Sequence, residues 1–170
     1  GKYPPTDVRA HSRQLGILTP PPGPKPRING ARVYGVRPGH PVLWRLPVTG
    51  ERPMELEAKG LPEGLAFDAA TQVLSGSVTR AGDYPITFVA KNAKGRDESV
   101  LTVKVGDRIS LTPAMGWNSW NCFSSDVSAE KVRAAAEAML SSGLADHGWS
   151  YVNIDDYWTN KPESDDATLQ

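Results

Sequence analysis

DYPITFVAKNAKGRDESVLTVKV runs from Asp83 to Val105. Tyr84, Ile86, Phe88 and Ala90 occupy every second position. A strand turns alternate side chains to opposite faces, so these four share one face. Asn92-Ala93-Lys94-Gly95 reads as a turn, with Gly95 free to take a positive φ. Leu101, Val103 and Val105 alternate in the same way on the return strand. A hairpin with one apolar face needs a second layer to cover it. Upstream sequence offers one. Val42 to Leu46 reads as a strand, and Met54, Leu56 and Ala58 alternate with Glu55 and Glu57. Gln72-Val73-Leu74 reads as a short strand closed by a turn at Ser75-Gly76. Strands punctuated by turns, with no helical period, predict an all-β sandwich over residues 28–106.

Beyond Asp107 the pattern changes. Ser110 to Trp120 reads as a lead-in and a strand, and Ser128 to Ser142 as a helix. Ser128 is placed to cap the helix and Glu130 lies in its electropositive first turn. Val132, Ala135, Ala136, Met139 and Gly143 keep the three/four spacing of one buried stripe. Gly143 is placed to end the helix in the left-handed conformation. Tyr151 to Ile154 reads as a second strand. Strand, helix and strand in this order predict a parallel pair with a right-handed crossover. The expected layout is a proline-rich arm over 1–27, the sandwich over 28–106, and the beginning of an α/β domain over 107–170. TPPPGPKP, Thr19 to Pro26, favours an extended polyproline II linker, the alternative being a motif for a proline-binding partner.

Composition narrows the class. The 170 residues are 39% hydrophobic and 22% charged, with zero formal net charge. That is globular composition, and it argues against nucleic acid or an acidic membrane held by bulk charge. No apolar run approaches the ~20 residues of a membrane-spanning helix, so no membrane insertion is expected. The single cysteine, Cys122, excludes an internal disulfide and is expected to be a buried or half-buried thiol. The chain opens Gly-Lys-Tyr without a signal peptide, as expected after removal of a leader or for a piece of a longer protein. Oligomeric state is not legible.

Two stretches carry the chemistry. MGWNSWNCF, Met115 to Phe123, and YVNIDDYW, Tyr151 to Trp158, close the two predicted strands. In parallel α/β folds the working residues collect where strands end, so Trp120, Asp155 and Asp156 are expected on one rim. An indole offers an apolar wall with a polar edge, and an ionised carboxylate accepts hydroxyl hydrogen bonds. Together they suit a sugar. On composition alone, Trp117 is a packing residue, and the Asp pair equally suits a turn, a helix cap or one edge of a divalent-cation site. No third ligand stands near the pair, and no metal is assigned. His147 in ADHGW reads as an exposed turn residue.

LPEGLAFDAATQVLSGSVTRAGDYPITFVAKNAKG, Leu61 to Gly95, resembles the immunoglobulin-like modules of bacterial surface and secreted enzymes. RINGARVYGVRPGHPVLWRLPVTGERP, Arg27 to Pro53, resembles the short segment preceding such a module in bacterial α-galactosidases. LTPAMGWNSWNCF and SSGLADHGWSYVNIDDYW resemble the start of the catalytic domain of melibiase-type α-galactosidases, glycoside hydrolase family 27. The resemblance implies an immunoglobulin-like sandwich followed by the truncated start, strand–helix–strand, of a (β/α)8 TIM barrel. It implies an enzyme that removes terminal α-linked galactose with retention of configuration, without a cofactor. It implies that Trp120 walls the galactose pocket, that Asp155 and Asp156 bind the 4- and 6-hydroxyls, and that Trp158 frames the pocket. Ser125 and Tyr157 stand where many members carry cysteines, so these strand ends must be held by packing.

Such hydrolysis needs two carboxyl groups on opposite sides of the scissile bond, ~5–5.5 Å apart. Adjacent residues of one strand end do not meet that need, and the resemblance places nucleophile and acid on later strands. No catalytic residue is therefore assigned to this chain, which is expected to be inactive alone. Two other classes stay open. One is a sandwich acting as spacer, docking unit or carbohydrate-binding module, against which Trp44, Tyr84 and Phe88 all fit core positions. The other is a sibling specificity such as α-N-acetylgalactosaminidase or β-L-arabinopyranosidase. A secreted or periplasmic setting follows from the usual place of this architecture.

Overall fold

The computed structural model describes residues 21–158. The first part of the arm expected over 1–27, and with it Thr19 and Pro20, lies outside the described residues. Strands β1 (Arg27–Ile28), β2 (Val33–Val36), β3 (Pro41–Arg45), β4 (Val48–Thr49), β5 (Glu55–Lys59), β6 (Leu65–Asp68), β7 (Val73–Ser77), β8 (Gly82–Asn92) and β9 (Gly95–Val105) build the sandwich. One sheet has the order β2-β9-β8-β5, the other β3-β7-β6, and β1 pairs with β4. The long hairpin β8–β9 is antiparallel from Gly82↔Val105 to Asn92↔Gly95. Its turn is an Asx turn, in which Asn92 Oδ1 accepts from the Lys94 N–H at 2.8 Å. β2 runs parallel to β9, which an antiparallel meander does not supply.

The alternating residues fill the space between the sheets. Ile86, Phe88, Ala90, Leu101, Val103 and Val105 from one sheet meet Val42, Trp44, Leu65 and Leu74 from the other. Phe88 lies at the centre, 5.2 Å from the Trp44 ring and 5.1 Å, edge-on, from Phe67. Aromatic pairs at this spacing add to the gain from burial alone.

Three sequence expectations need correction here. Ser75-Gly76 is not a turn. It lies inside β7, where Gly76 pairs with both Val42 and Leu65. A Cβ on Gly76 would sit 2.0 Å from the Gly64 carbonyl oxygen, so glycine here serves a close backbone approach. The stretch from Arg27 to Pro53 is not a segment preceding the module, because β2 and β3 are strands of its two sheets. The end of the proline run is not a free linker either. Pro26 is buried, and the Pro24 carbonyl accepts from Asn92 Nδ2 and from the Glu51 N–H at 2.8 and 3.1 Å. Proline loses its donor but keeps its acceptor, and that is the group used.

The second unit contains β10 (Gly116–Asn118), a short helix α1 (Trp120–Phe123), the helix α2 (Ala129–Ser141), a 3-10 turn (Leu144–His147) and β11 (Tyr151–Asn153). Ser128 caps α2, its hydroxyl accepting from the Lys131 N–H at 3.3 Å. Gly143 follows the helix with φ of 81°, the left-handed conformation expected of it. Val132, Ala135, Ala136, Met139 and Gly143 are buried or half-buried, whereas Leu140 on the far side is exposed. β10 and β11 are parallel, with Gly116↔Tyr151, Trp117↔Val152 and Asn118↔Asn153 in register. Gly116 makes that pairing possible, since a Cβ there would lie 1.8 Å from the Tyr151 carbonyl oxygen.

Candidate functional site

The parallel register brings Asn118 level with Asn153, so the residues that follow each strand leave from the same edge. Side chains then tie the two ends together. Asn153 Nδ2 donates to the Trp117 carbonyl at 3.0 Å, and the Ser119 N–H donates to the Asn153 carbonyl at 3.1 Å. Ser119 is fully buried, and its Oγ accepts from the Asp155 N–H at 2.9 Å. Asn118 works in two directions. Its Nδ2 donates to Asp155 Oδ2 at 2.9 Å and its Oδ1 accepts from the Trp120 N–H at 2.9 Å. One amide therefore sets both the carboxylate and the backbone that carries the indole.

Trp120, Asp155 and Asp156 share one rim, as the topology requires. Asp155 Oδ1 also accepts from the Asp156 N–H at 2.9 Å, so each of its oxygens holds one bond and keeps a lone pair. Asp156 Oδ1 accepts from the Tyr157 N–H at 2.8 Å. Both carboxylates are exposed, and Trp120 is 40% exposed. An indole open to that degree beside two open carboxylates is a surface available to a polar ligand with an apolar face. Trp158 is 43% exposed at the end of the described chain. The ring that meets Trp120 is Tyr157, with centroids 6.1 Å apart and planes tilted by 31°. Tyr157 adopts φ of 64°, a conformation uncommon away from glycine.

Asn118, Ser119 and Tyr157 were not assigned roles from sequence. Their signal was present as the polar residues between the tryptophans and as the residue after the Asp pair, but only the register shows what they bridge. Trp117 packs edge-on against Phe123 at 5.8 Å and donates from Nε1 to Cys122 Sγ at 3.3 Å. Cys122 is exposed, not the buried or half-buried thiol expected, because α1 turns it outward while the tryptophan covers one side of its sulfur. His147 is exposed, as expected. Among the described residues no group of three or more His, Cys, Asp or Glu side chains converges as a metal site would require.

A cleft of about 390 Å³ lies elsewhere. Tyr34, His40 and Trp44 of the sandwich line it with Met115, Ser150 and Tyr151, where β10 and β11 begin. Burial, and to a smaller degree Tyr34, push the Tyr151 hydroxyl above its ordinary pKa. This cleft is at the opposite end of the strands from the carboxylates.

Residues 26–106 match a family model described as "Putative Ig domain", and residues 112–170 match the model "Alpha galactosidase A". The first part of the chain is thus similar to an immunoglobulin-like module and the second to the start of a melibiase-family domain. Similarity to solved structures spans the junction. Two crystal structures from Bacteroides fragilis, a "putative alpha-galactosidase" and a "putative alpha-galactosidase/melibiase", are 43% and 40% identical. They align with TM-scores of 0.77 and 0.79 over 84% and 86% of this chain, which covers 31% of each. The chain is 47% identical over 62 residues to a probable alpha-galactosidase B of Aspergillus oryzae, matching 36% of this chain and 14% of that protein. Alpha-galactosidase 3 of Arabidopsis thaliana is 45% identical over 58 residues, 34% of this chain and 13% of that protein. The chain thus spans about a seventh of the length of these curated relatives.

Proposed function

We propose that this chain is the N-terminal part of a retaining exo-α-galactosidase, and that its rim grips the terminal galactose. The observation that supports this best is the coupling of the strand ends by Asn118 and Ser119. It sets the Asp155 carboxylate and the Trp120 backbone in one frame before any ligand arrives. Preorganised acceptors cost less to order on binding than free ones. Asp155 and Asp156 accept the 4- and 6-hydroxyls, Trp120 covers the apolar face of the ring, and Trp158 closes the pocket edge. Tyr157 braces Trp120 in place of a disulfide. The two carboxyl groups that cleave the bond belong to later barrel strands, so the 170-residue chain binds part of the sugar and does not hydrolyse it. The reaction needs only carboxylates and water, and the enzyme works on secreted or periplasmic glycans.

The test is hydrolysis of p-nitrophenyl α-galactoside by a chain extended through the remaining barrel strands, with NMR of the first-formed anomer. α-Galactose as first product supports the proposal. First-formed β-galactose, or hydrolysis confined to the α-N-acetylgalactosaminide or the β-L-arabinopyranoside, would overturn it. So would appreciable turnover by residues 1–170 alone.

A further inference from the structure

We propose that the immunoglobulin-like module is an intramolecular brace for the barrel unit, fixing the strand that carries Asp155 and Asp156, rather than a spacer or a sugar-binding module. This rests on the contacts between the two units and does not depend on which sugar is bound.

The contacts converge on the turn between α2 and β11. Arg45 Nη2 of β3 donates to Asp146 Oδ1 at 2.8 Å, and Arg52 Nη2 lies 3.6 Å from Asp146 Oδ2. Asn29 Nδ2 donates to the Asp146 carbonyl at 3.0 Å. Arg45 and Asp146 side chains are 24% and 31% exposed, enough burial to lessen screening by salt. Shape adds to charge. Gly148 is buried against Gly30, and a Cβ on Gly148 would lie 3.2 Å from the Gly30 Cα. A Cβ on Gly30 would meet Pro47 Cγ at 2.6 Å. The Gly148 backbone can approach Gly30 this closely because Gly148 has no side chain.

The sandwich also prepares its side of the contact. Gln72 is 6% exposed and holds φ of 64°, and its Oε1 accepts from the same Arg45 Nη2. A buried side chain on a sparsely populated backbone persists where its surroundings over-determine it. Arg45 Nη1 is buried without a partner among the described residues. Asp146 is thus the counter-charge of a half-buried guanidinium, and removing either leaves the other poorly compensated. A second seam reinforces the first. Thr112 Oγ1 donates to the Val33 carbonyl at 2.8 Å, and Leu111 packs where a Cβ on Gly35 would lie 2.8 Å from its Cγ.

A spacer needs none of these contacts, and a sugar module working with the rim would have to reach it. The seam lies instead where β10 and β11 begin. From Gly148 the chain passes directly through Ser150 and Tyr151, whose N–H groups both donate to the Met115 carbonyl, and on to Asp155.

Hydrogen exchange on the full chain tests this, comparing wild type with Arg45→Met and Asp146→Asn. The Tyr151 and Asn153 amides should exchange about 10–100-fold faster in each variant, the range set by losing a hydrogen bond to a charged group. Amides of Ile86, Leu101 and Val103 should not change. Where Arg45→Met also accelerates the sandwich amides, Asp146→Asn decides, because it lies outside the sandwich. Unchanged exchange of β11 in Asp146→Asn would overturn the proposal.

Discussion

Ser119 is a fully buried hydroxyl that accepts one hydrogen bond, from the Asp155 N–H at 2.9 Å. Ser119→Ala removes the acceptor, keeps the backbone and leaves nothing to replace it. A part-buried donor left without a partner costs about 1–3 kcal/mol, more than the net worth of the bond itself. The cost falls on the β10–β11 unit, because the bond joins the residue after one strand to the second residue after the other. Urea unfolding of the 170-residue chain, followed by the tryptophan fluorescence of this unit, should show its midpoint fall at unchanged slope. The sandwich transition should stay in place. Ser119→Thr, which retains an acceptor oxygen, should recover part of the loss if the site admits the added methyl. In a chain carrying the complete barrel, Asp155 would be less well held and galactoside affinity should fall by about tenfold, since 1.4 kcal/mol is a factor of ten. A midpoint shift worth under about 0.5 kcal/mol would refute the idea that this hydroxyl locks the rim, because such changes are ordinary at indifferent positions.

Asp155→Asn and Asp156→Asn in the complete barrel should each weaken galactose binding by about 10–100-fold, the range for losing a hydrogen bond to a charged group; titration calorimetry showing unaltered affinity would remove them from the site. Gly116→Ala should unseat β11, because its Cβ would lie 1.8 Å from the Tyr151 carbonyl oxygen, and loss of Asp155 amide protection would report it. Asp68 titrates below its ordinary range chiefly because Thr71 Oγ1 donates to it, with the Ala70 N–H next. Its contribution is therefore present above the ordinary carboxylate range and lost as pH falls through the depressed value. Thr71→Val should return the Asp68 midpoint toward the ordinary range by carboxyl NMR, and an unmoved midpoint would contradict that cause.

Period-two alternation placed Ile86, Phe88, Leu101 and Val103 inward without knowledge of their partners, because strand geometry is local. Helix limits at Ser128 and Gly143 were equally legible, because capping is a matter of a few neighbouring residues. The Trp120 and Asp155-Asp156 stretches could be set on one edge from the order of strand, helix and strand. Glycine was ambiguous. At Gly143 it ends a helix, whereas at Gly76 it sits inside a strand beneath a carbonyl, and only the neighbouring chain distinguishes the two uses.

What sequence alone determined is the inward faces of the long hairpin, the limits of the main helix and the chemistry carried at the strand ends. Only tertiary structure decided which residues join those ends. The bond from Asn118 to Asp155 crosses 37 positions, the ion pair of Arg45 with Asp146 crosses 101, and Asn29 reaches Asp146 across 117. Side-chain pattern repeats over two to four residues and holds no record of such pairings. They arise when two units pack, and distance in space replaces distance along the chain.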